Sequence, residues 1–275
     1  MAEAEATGTL YVVATPLGNL EDVSLRALRI LREVDLIACE DTRVARRMLE
    51  RHGIGTRTSS YFEHNKQAKG RYFLGVLERG AHVALITDAG TPGISDPGAD
   101  LVRLAREAGV RVVPIPGPSA VATLLSASGL PGDRFVFAGF LPVKSGRRKT
   151  RLRELQALDW PIVLYESCHR IRRTLEDIQS AWGDRHVVIG RELTKLYEEI
   201  FRGTAEEAAG HFSGGVKGEV VLVVRGGTTK ETIDDVVRQA RAYIAEGESP
   251  SQAAARAARG SGWRRSEIYE RLVRG

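Results

Sequence analysis

Between residues 82 and 98 the chain reads HVALITDAGTPGISDPG. A short apolar run, residues 83–86, stops at Thr87-Asp88, and three glycines and two prolines follow within residues 90–98. Such a run is what a strand covered on both faces shows. Asp88 is therefore expected at the carboxyl end of a strand, where open α/β sheets bind small molecules. Glycine lets a backbone approach a ligand closely, and proline fixes the shape of the loop; a plain turn with an Asp cap would need fewer residues. Two more Gly/Pro segments follow apolar runs: residues 15–20 (TPLGNL) after 10–14, and residues 116–120 (PGPSA) after 111–115. If the three strands are parallel, the three loops share one edge and form a cleft. The polar residues at strand ends facing it are Glu40, Asp41, His64, Lys66, Glu166, Lys195 and Glu198. Asp41 and Glu166 are the favoured carboxylates for taking a proton there. Each could equally cap a helix or pair with a neighbouring cation, Arg43 for Asp41 and His169 or Arg170 for Glu166.

Basic residues form a second pattern. Arg43, Arg47 and Arg51 recur at i, i+4, i+8 and so share a helix face. Lys144, Arg147, Arg148, Lys149, Arg151 and Arg153 fall within ten residues without an acid, in a segment read as a loop. A solvated loop does not need six charges that repel one another, so a polyanion contact is at least as good an account. Arg43, Arg47, Lys144, Arg147, Arg148 and Lys149 are the candidate phosphate contacts, which give affinity rather than base choice. From Arg256 onward six arginines face two glutamates. No P-loop, G-x-G-x-x-G, H-E-x-x-H or G-x-S-x-G string occurs, and the six histidines form no metal-like cluster. A P-loop NTPase, a standard nicotinamide enzyme and a zinc hydrolase are disfavoured, and no metal is expected.

The elements that must hold these residues follow from the chain's length and punctuation. At 275 residues, 43% of them apolar, two packed domains are the prior. Residues 1–8 are expected as a frayed acidic tail. Strands and helices alternate through residues 9–117, the pattern of a mostly parallel α/β sheet. Residues 118–227 are richer in adjacent strands and predict a second α/β domain with a mixed sheet. From Thr228 to residue 275 the composition turns to Ala, Arg and Glu, which predicts short helices and an RNA-binding tail, with a docking lid as the competing view. Only Cys39 and Cys168 occur, each in an apolar stretch, which fits a reducing cytoplasm. No membrane helix or signal peptide is expected.

The strings ATPLGNLEDVSLRAL, ACEDTRVARRML, FEHNK, ITDAGTPGISDPG, PIPGPSA, FVFAGFLP, YESCHR and GRELTKLYEE together resemble the tetrapyrrole methylase superfamily, the class III S-adenosylmethionine-dependent methyltransferases. Within it, the chain is similar to the branch that methylates 16S ribosomal RNA at a cytidine ribose 2′-hydroxyl. The match spans roughly residues 10–224. The resemblance implies two α/β domains with S-adenosylmethionine folded between them, a homodimer, and 2′-O-methylation of a decoding-centre cytidine of the small ribosomal subunit. Carried over by motif, Pro16 and Leu17 would line the first wall of the pocket. Asp88, Gly90 and Thr91 would hold the methionine or ribose part, and Ser119 and Ala120 would contact it from the third loop. Phe137 and Ala138, then Tyr165 and Glu166, would close it from the second domain. ITDAGTPGIS departs from the Gly-Asp-Pro loop of the tetrapyrrole-modifying enzymes, which favours the RNA branch. The alternatives are a small-molecule methyltransferase acting on a tetrapyrrole and a non-catalytic RNA-binding protein.

Overall fold

Each short β-branched run forms a strand, and each Gly/Pro segment sends the chain back through a helix. The computed structural model describes residues 7–214, 217–227, 233–245, 247–258 and 263–274. In the first unit β1 (Thr9–Val13), α1 (Leu25–Glu33), β2 (Leu36–Cys39), α2 (Thr42–Arg51), β3 (Thr58–Ser60), α3 (Lys66–Glu78), β4 (Val83–Leu85), α4 (Gly98–Glu107) and β5 (Arg111–Ile115) alternate. The strands pair in the order β3-β2-β4-β1-β5, and every pairing is parallel. Successive side chains of a strand point to opposite faces. Ile37 and Cys39 accordingly meet Leu31, Ala45 and Leu49 of α1 and α2 on one face, and Leu36 and Ala38 meet Phe73, Leu77 and Leu101 of α3 and α4 on the other. Ser24 caps α1 by accepting the Ala27 N–H at 3.1 Å. Burial pushes the Cys39 thiol up to about 12, so it stays protonated and inert.

The second unit comprises α5 (Ala120–Ser128), β6 (Val136–Phe140), α6 (Ser145–Gln156), β7 (Ile162–Ser167), α7 (Ile171–Trp182), β8 (His186–Arg191), β9 (Glu199–Thr204), α8 (Ala205–His211) and β10 (Glu219–Val224). Its sheet runs β6-β7-β10-β8-β9; β6 and β7 are parallel and the other pairings antiparallel, so it is mixed. Val121 and Leu124 of α5 cover one face, against Val163, Val188 and Val221. On the other face α6, α7 and α8 bury Leu152, Leu155, Leu175, Ile178 and Ala208 against Ile162, Leu164, Ile189 and Leu222. Three further helices, α9 (Ile233–Ala245), α10 (Pro250–Ala258) and α11 (Arg265–Arg274), pack on one another around Val236, Ala240, Ala253, Ala254, Ala257 and Ile268.

Two expectations change. The basic stretch from Lys144 is not a loop: Lys144 is the N-cap of α6 and the remaining basic residues lie within the helix. Arg148, Leu152 and Leu155 lie at i, i+4, i+7 and form its buried stripe. The N-terminal tail is shorter than eight residues, because Gly8 donates its N–H to the Leu77 carbonyl at 2.7 Å. Residues 1–6, the start of the tail at 228–232 and the 260–262 break lie outside the described residues.

Candidate active site

β4, β1 and β5 are neighbours in the first sheet, so the loops leaving their carboxyl ends emerge side by side. Hydrogen bonds stitch them together. Thr15 and Gly90 exchange main-chain bonds, N–H to O at 2.9 and 3.0 Å, and the Thr15 hydroxyl donates to the Thr87 carbonyl at 2.9 Å. The Thr91 hydroxyl donates to the Pro118 carbonyl at 3.0 Å, tying the central loop to the third. Gly90 holds φ +85°, and a Cβ there would meet the Leu17 side chain at 3.4 Å. The central loop is braced from within by Asp96, whose carboxylate accepts the N–H groups of Gly93, Ile94 and Gly98. The first loop also reaches the second unit. The Asn19 N–H donates to the Thr194 hydroxyl at 3.0 Å, and Leu17 packs among Val121, Leu124 and Val163.

Between the two sheets these loops enclose a cavity of about 480 Å³, the size of a small-molecule site. Leu17, Asp88, Gly90, Thr91, Ser119, Ala120 and Tyr165 all line it. Three separated turns therefore do converge. Pro16 is buried behind Leu17 and is not part of the wall. Phe137 backs Tyr165 edge-on, with ring centroids 4.9 Å apart. Ala138 turns to the opposite face of the sheet, against the α6–α8 layer.

The carboxylates divide clearly. Asp41 caps α2 and grips Arg43, which holds it down to about 2; it lies outside the cavity wall and is a weak proton acceptor. Its N–H donates to Asp88 Oδ1 at 3.0 Å, so its service to the site is to orient Asp88. Glu166 borders the cavity, but its carboxylate is 1% exposed and turned toward α7. There it accepts from the Thr174 hydroxyl at 2.6 Å and lies 3.3 Å from Arg170. The pleat explains this: Tyr165 faces the cleft, so Glu166 faces away. Neither favoured carboxylate stands free in the cleft. Asp88 and Glu40 line its wall. Burial raises both, and in Glu40 repulsion from Asp88 and Asp96 adds to it, partly offset by the Thr87 hydroxyl bond at 3.1 Å.

The second unit contributes wall residues the sequence reading passed over, among them Phe140, Gly190, Leu193 and Glu219. Ser95 in the central loop, and Glu192 and Thr194 on either side of Leu193, hold positive φ of 65°, 51° and 66°. Strained non-glycine residues thus flank the cavity from both units, as they do where a site fixes its loops. Of the candidate phosphate contacts, Arg43, Arg47, Lys144 and Arg147 are exposed and Lys149 is half-buried beside Asp177 at 3.6 Å. Arg148 is not available. Its side chain is 7% exposed and bound to Asp177 through Nε and Nη2 at 2.7 and 2.6 Å. Among the described residues no group of His, Cys, Asp and Glu could hold a metal ion, and no helix is long and apolar enough to cross a membrane.

The family model for tetrapyrrole (corrin/porphyrin) methylases matches residues 9–209, from β1 into α8, which takes in the first sheet and all of the second except β10. The chain belongs to the tetrapyrrole methylase family. Among its curated relatives are proteins named ribosomal RNA small subunit methyltransferase I. That of Mesorhizobium japonicum is 46% identical, covering 96% of this chain and 91% of the relative. That of Escherichia coli O157:H7 is 44% identical, covering 96% and 94%. Solved structures share the fold at lower identity. Uroporphyrin-III C-methyltransferase from Thermus thermophilus superposes with a TM-score of 0.59 at 18% identity, covering 80% of this chain and 94% of that one. A diphthine synthase gives 0.62 at 18% identity, covering 79% and 90%.

Proposed function

We propose that this chain is an S-adenosylmethionine-dependent methyltransferase of small-subunit ribosomal RNA, transferring a methyl group to the 2′-hydroxyl of a decoding-centre cytidine in 16S RNA. The observation that carries the reading is the convergence of Leu17, Asp88 and Ser119 on one cavity, in a chain related over nearly its whole length to proteins named as methyltransferases of small-subunit ribosomal RNA. The cavity suits the cofactor's chemistry. Asp88, Glu40 and Glu219 place negative charge in a wall that also carries the apolar side chains of Leu17, Ile94, Phe140, Tyr165 and Leu193, a match for a molecule with a sulfonium, an ammonium and a flat purine. Ser119, at the start of α5, makes no capping bond, which leaves its hydroxyl and the first-turn N–H groups for a carboxylate.

S-adenosylmethionine, when bound, supplies an electrophilic methyl group on sulfur. The residues of this chain do the rest. The stitched loops hold the two reactants in register, the largest single contribution available to such a reaction. Asp41 fixes Asp88 through Oδ1, which leaves Oδ2 for the cofactor. Glu40, ionised and hydrogen-bonded to the substrate at the oxygen that Thr87 does not occupy, receives the ribose hydroxyl proton. The exposed Arg43, Arg47, Lys144 and Arg147 hold the RNA backbone. The arginines of the α9–α11 unit, among them Arg264 and Arg265, belong to the same RNA-binding reading. A homodimer belongs to the same reading, since Leu196 and Tyr197 are 88% and 72% exposed beside the cleft, apolar surface that a second copy would cover.

The test is transfer of labelled methyl from S-adenosylmethionine to small-subunit RNA or particles, with the modified ribose mapped. Methylation of a uroporphyrinogen acceptor, and none of RNA, would overturn it. Asp88→Asn removes a charged partner worth about 1.5–3 kcal/mol. Calorimetry should therefore show cofactor affinity weakened roughly 10- to 150-fold; unchanged affinity would take the central loop out of the site.

A further inference from the structure

A second cavity, of about 490 Å³, opens beside the carboxyl ends of β6 and β7; Arg148, Arg170 and Arg173 line it with Ser145, Glu176 and Asp177. Its acids are already engaged. Asp177 is held by Arg148 in two bonds and approached by Lys149, and Glu176 accepts from Arg172 at 2.9 Å. Its cations are not all engaged. Arg170 donates Nη2 to the Leu141 carbonyl at 2.7 Å and pairs with Glu166 at 3.3 Å, while its buried Nε has no hydrogen-bond partner among the described residues. Arg173 is exposed and enters no ion pair or hydrogen bond among them. Lys144 and Arg147, at the start of the same helix as Ser145, are also exposed and enter no ion pair or hydrogen bond among the described residues. The result is a concave site with surplus positive charge and guanidinium donors in fork geometry, which matches a phosphate better than any neutral ligand.

Its position says which phosphate. Phe140 and Ser167 line the first cavity, and Arg170 follows Ser167 by three residues on the same turn. Three residues of chain span at most about 10 Å. We propose that this second cavity seats a backbone phosphate of the RNA substrate, adjacent to the nucleotide presented at the methyl-donor cleft. This rests on the ribosomal RNA reading above and adds a residue-level anchor to it: Arg173 is the free cation, Arg170, already paired with Glu166, supports it, and Lys144 and Arg147 add positive charge at the neighbouring start of α6. Arg148 builds the wall and does not itself bind.

The experiment measures binding of small-subunit RNA by full-length protein across a salt series, with cofactor affinity measured separately. Arg173→Ala and Arg147→Ala should each reduce the slope of log affinity against log salt by about 1 and leave cofactor affinity unchanged. Arg29→Ala, which removes an exposed ion pair with Glu33 on α1, should leave the slope as it is. If Arg173→Ala keeps the wild-type slope while wild-type protein binds and methylates RNA, the cavity is not a phosphate seat and only this inference falls. If inorganic phosphate binds in a way Arg173→Ala abolishes and the RNA slope does not change, the cavity serves a free anion and the inference is overturned. If wild-type protein binds no RNA, the parent reading fails and this one with it.

Discussion

Arg148 is one of four basic residues in six, yet the structure gives it a different task from its neighbours, and that difference can be measured. Its guanidinium and the Asp177 carboxylate are 7% and 12% exposed, and Nη1 donates to the Val143 carbonyl at 2.9 Å. Removing one member of a buried pair leaves the other charged and unsolvated, at a cost of about 3–5 kcal/mol. Arg148→Ala should therefore lower the urea-unfolding free energy of the second unit by that amount. At about 4 °C per kcal/mol for a unit of this size, its melting point should drop by roughly 12–20 °C. The double variant Arg148→Met, Asp177→Leu removes both charges and keeps an apolar stem against Leu152, so it should recover most of the loss. Arg147→Ala, one residue away and exposed, should change stability by less than about 0.5 kcal/mol and shift only the salt dependence of RNA binding. The assay is urea denaturation of the three variants, with RNA affinity measured on the folded fraction. An Arg148→Ala protein that unfolds like wild type but binds RNA weakly would refute this account of the pair.

Two further outcomes are expected. Glu40→Gln should cut methyl transfer while leaving cofactor affinity within a few-fold. Because burial raises the Glu40 carboxyl above its ordinary 4.5, the folded state binds the proton more tightly than the unfolded chain, and wild-type stability falls as pH rises from 4.5 through the raised value. The variant should lack that decline and be the more stable protein at neutral pH by thermal melting; a less stable variant there would sink the assignment. Gly98→Ala would put a Cβ 2.7 Å from Asp96 Oδ1 and 3.0 Å from the Gly93 nitrogen, and Asp96 is held by three N–H groups. The central loop must shift, at a cost of about 1–3 kcal/mol, read as a lower melting point together with weaker cofactor binding; an unperturbed protein would show that the loop is softer than its hydrogen bonds imply.

The cleft was legible because its signal is local: an apolar run followed by Gly and Pro marks a strand end, and parallel strands put all such ends on one edge. What escaped the reading depended on which way a side chain faces. Its position in the sequence predicts Glu166 as a strand-end residue aimed at the cleft. β7 continues to Ser167, so the two-residue pleat turns Glu166 to the helix layer and leaves Tyr165 in the cleft. The same pleat separates Phe137 from Ala138. Arg148 hid a helix because an arginine occupies the first position of the stripe that Leu152 and Leu155 complete, and its buried partner Asp177 lies 29 residues away. Glu40 and Asp41 are adjacent in sequence with similar chemistry. Only the fold shows that one faces the cavity and the other spends its charge on Arg43.

Leu17 belongs by connectivity to the first sheet and by packing to the core of the second. The halves are therefore not interchangeable parts. A chimera joined between β5 and α5 would pair one protein's leucine with another's α5 and β7, and a mismatch there would loosen the hydrophobic seam and the reaction chamber together. Recombination among family members should succeed only where that opening turn travels with the C-terminal half it inserts into.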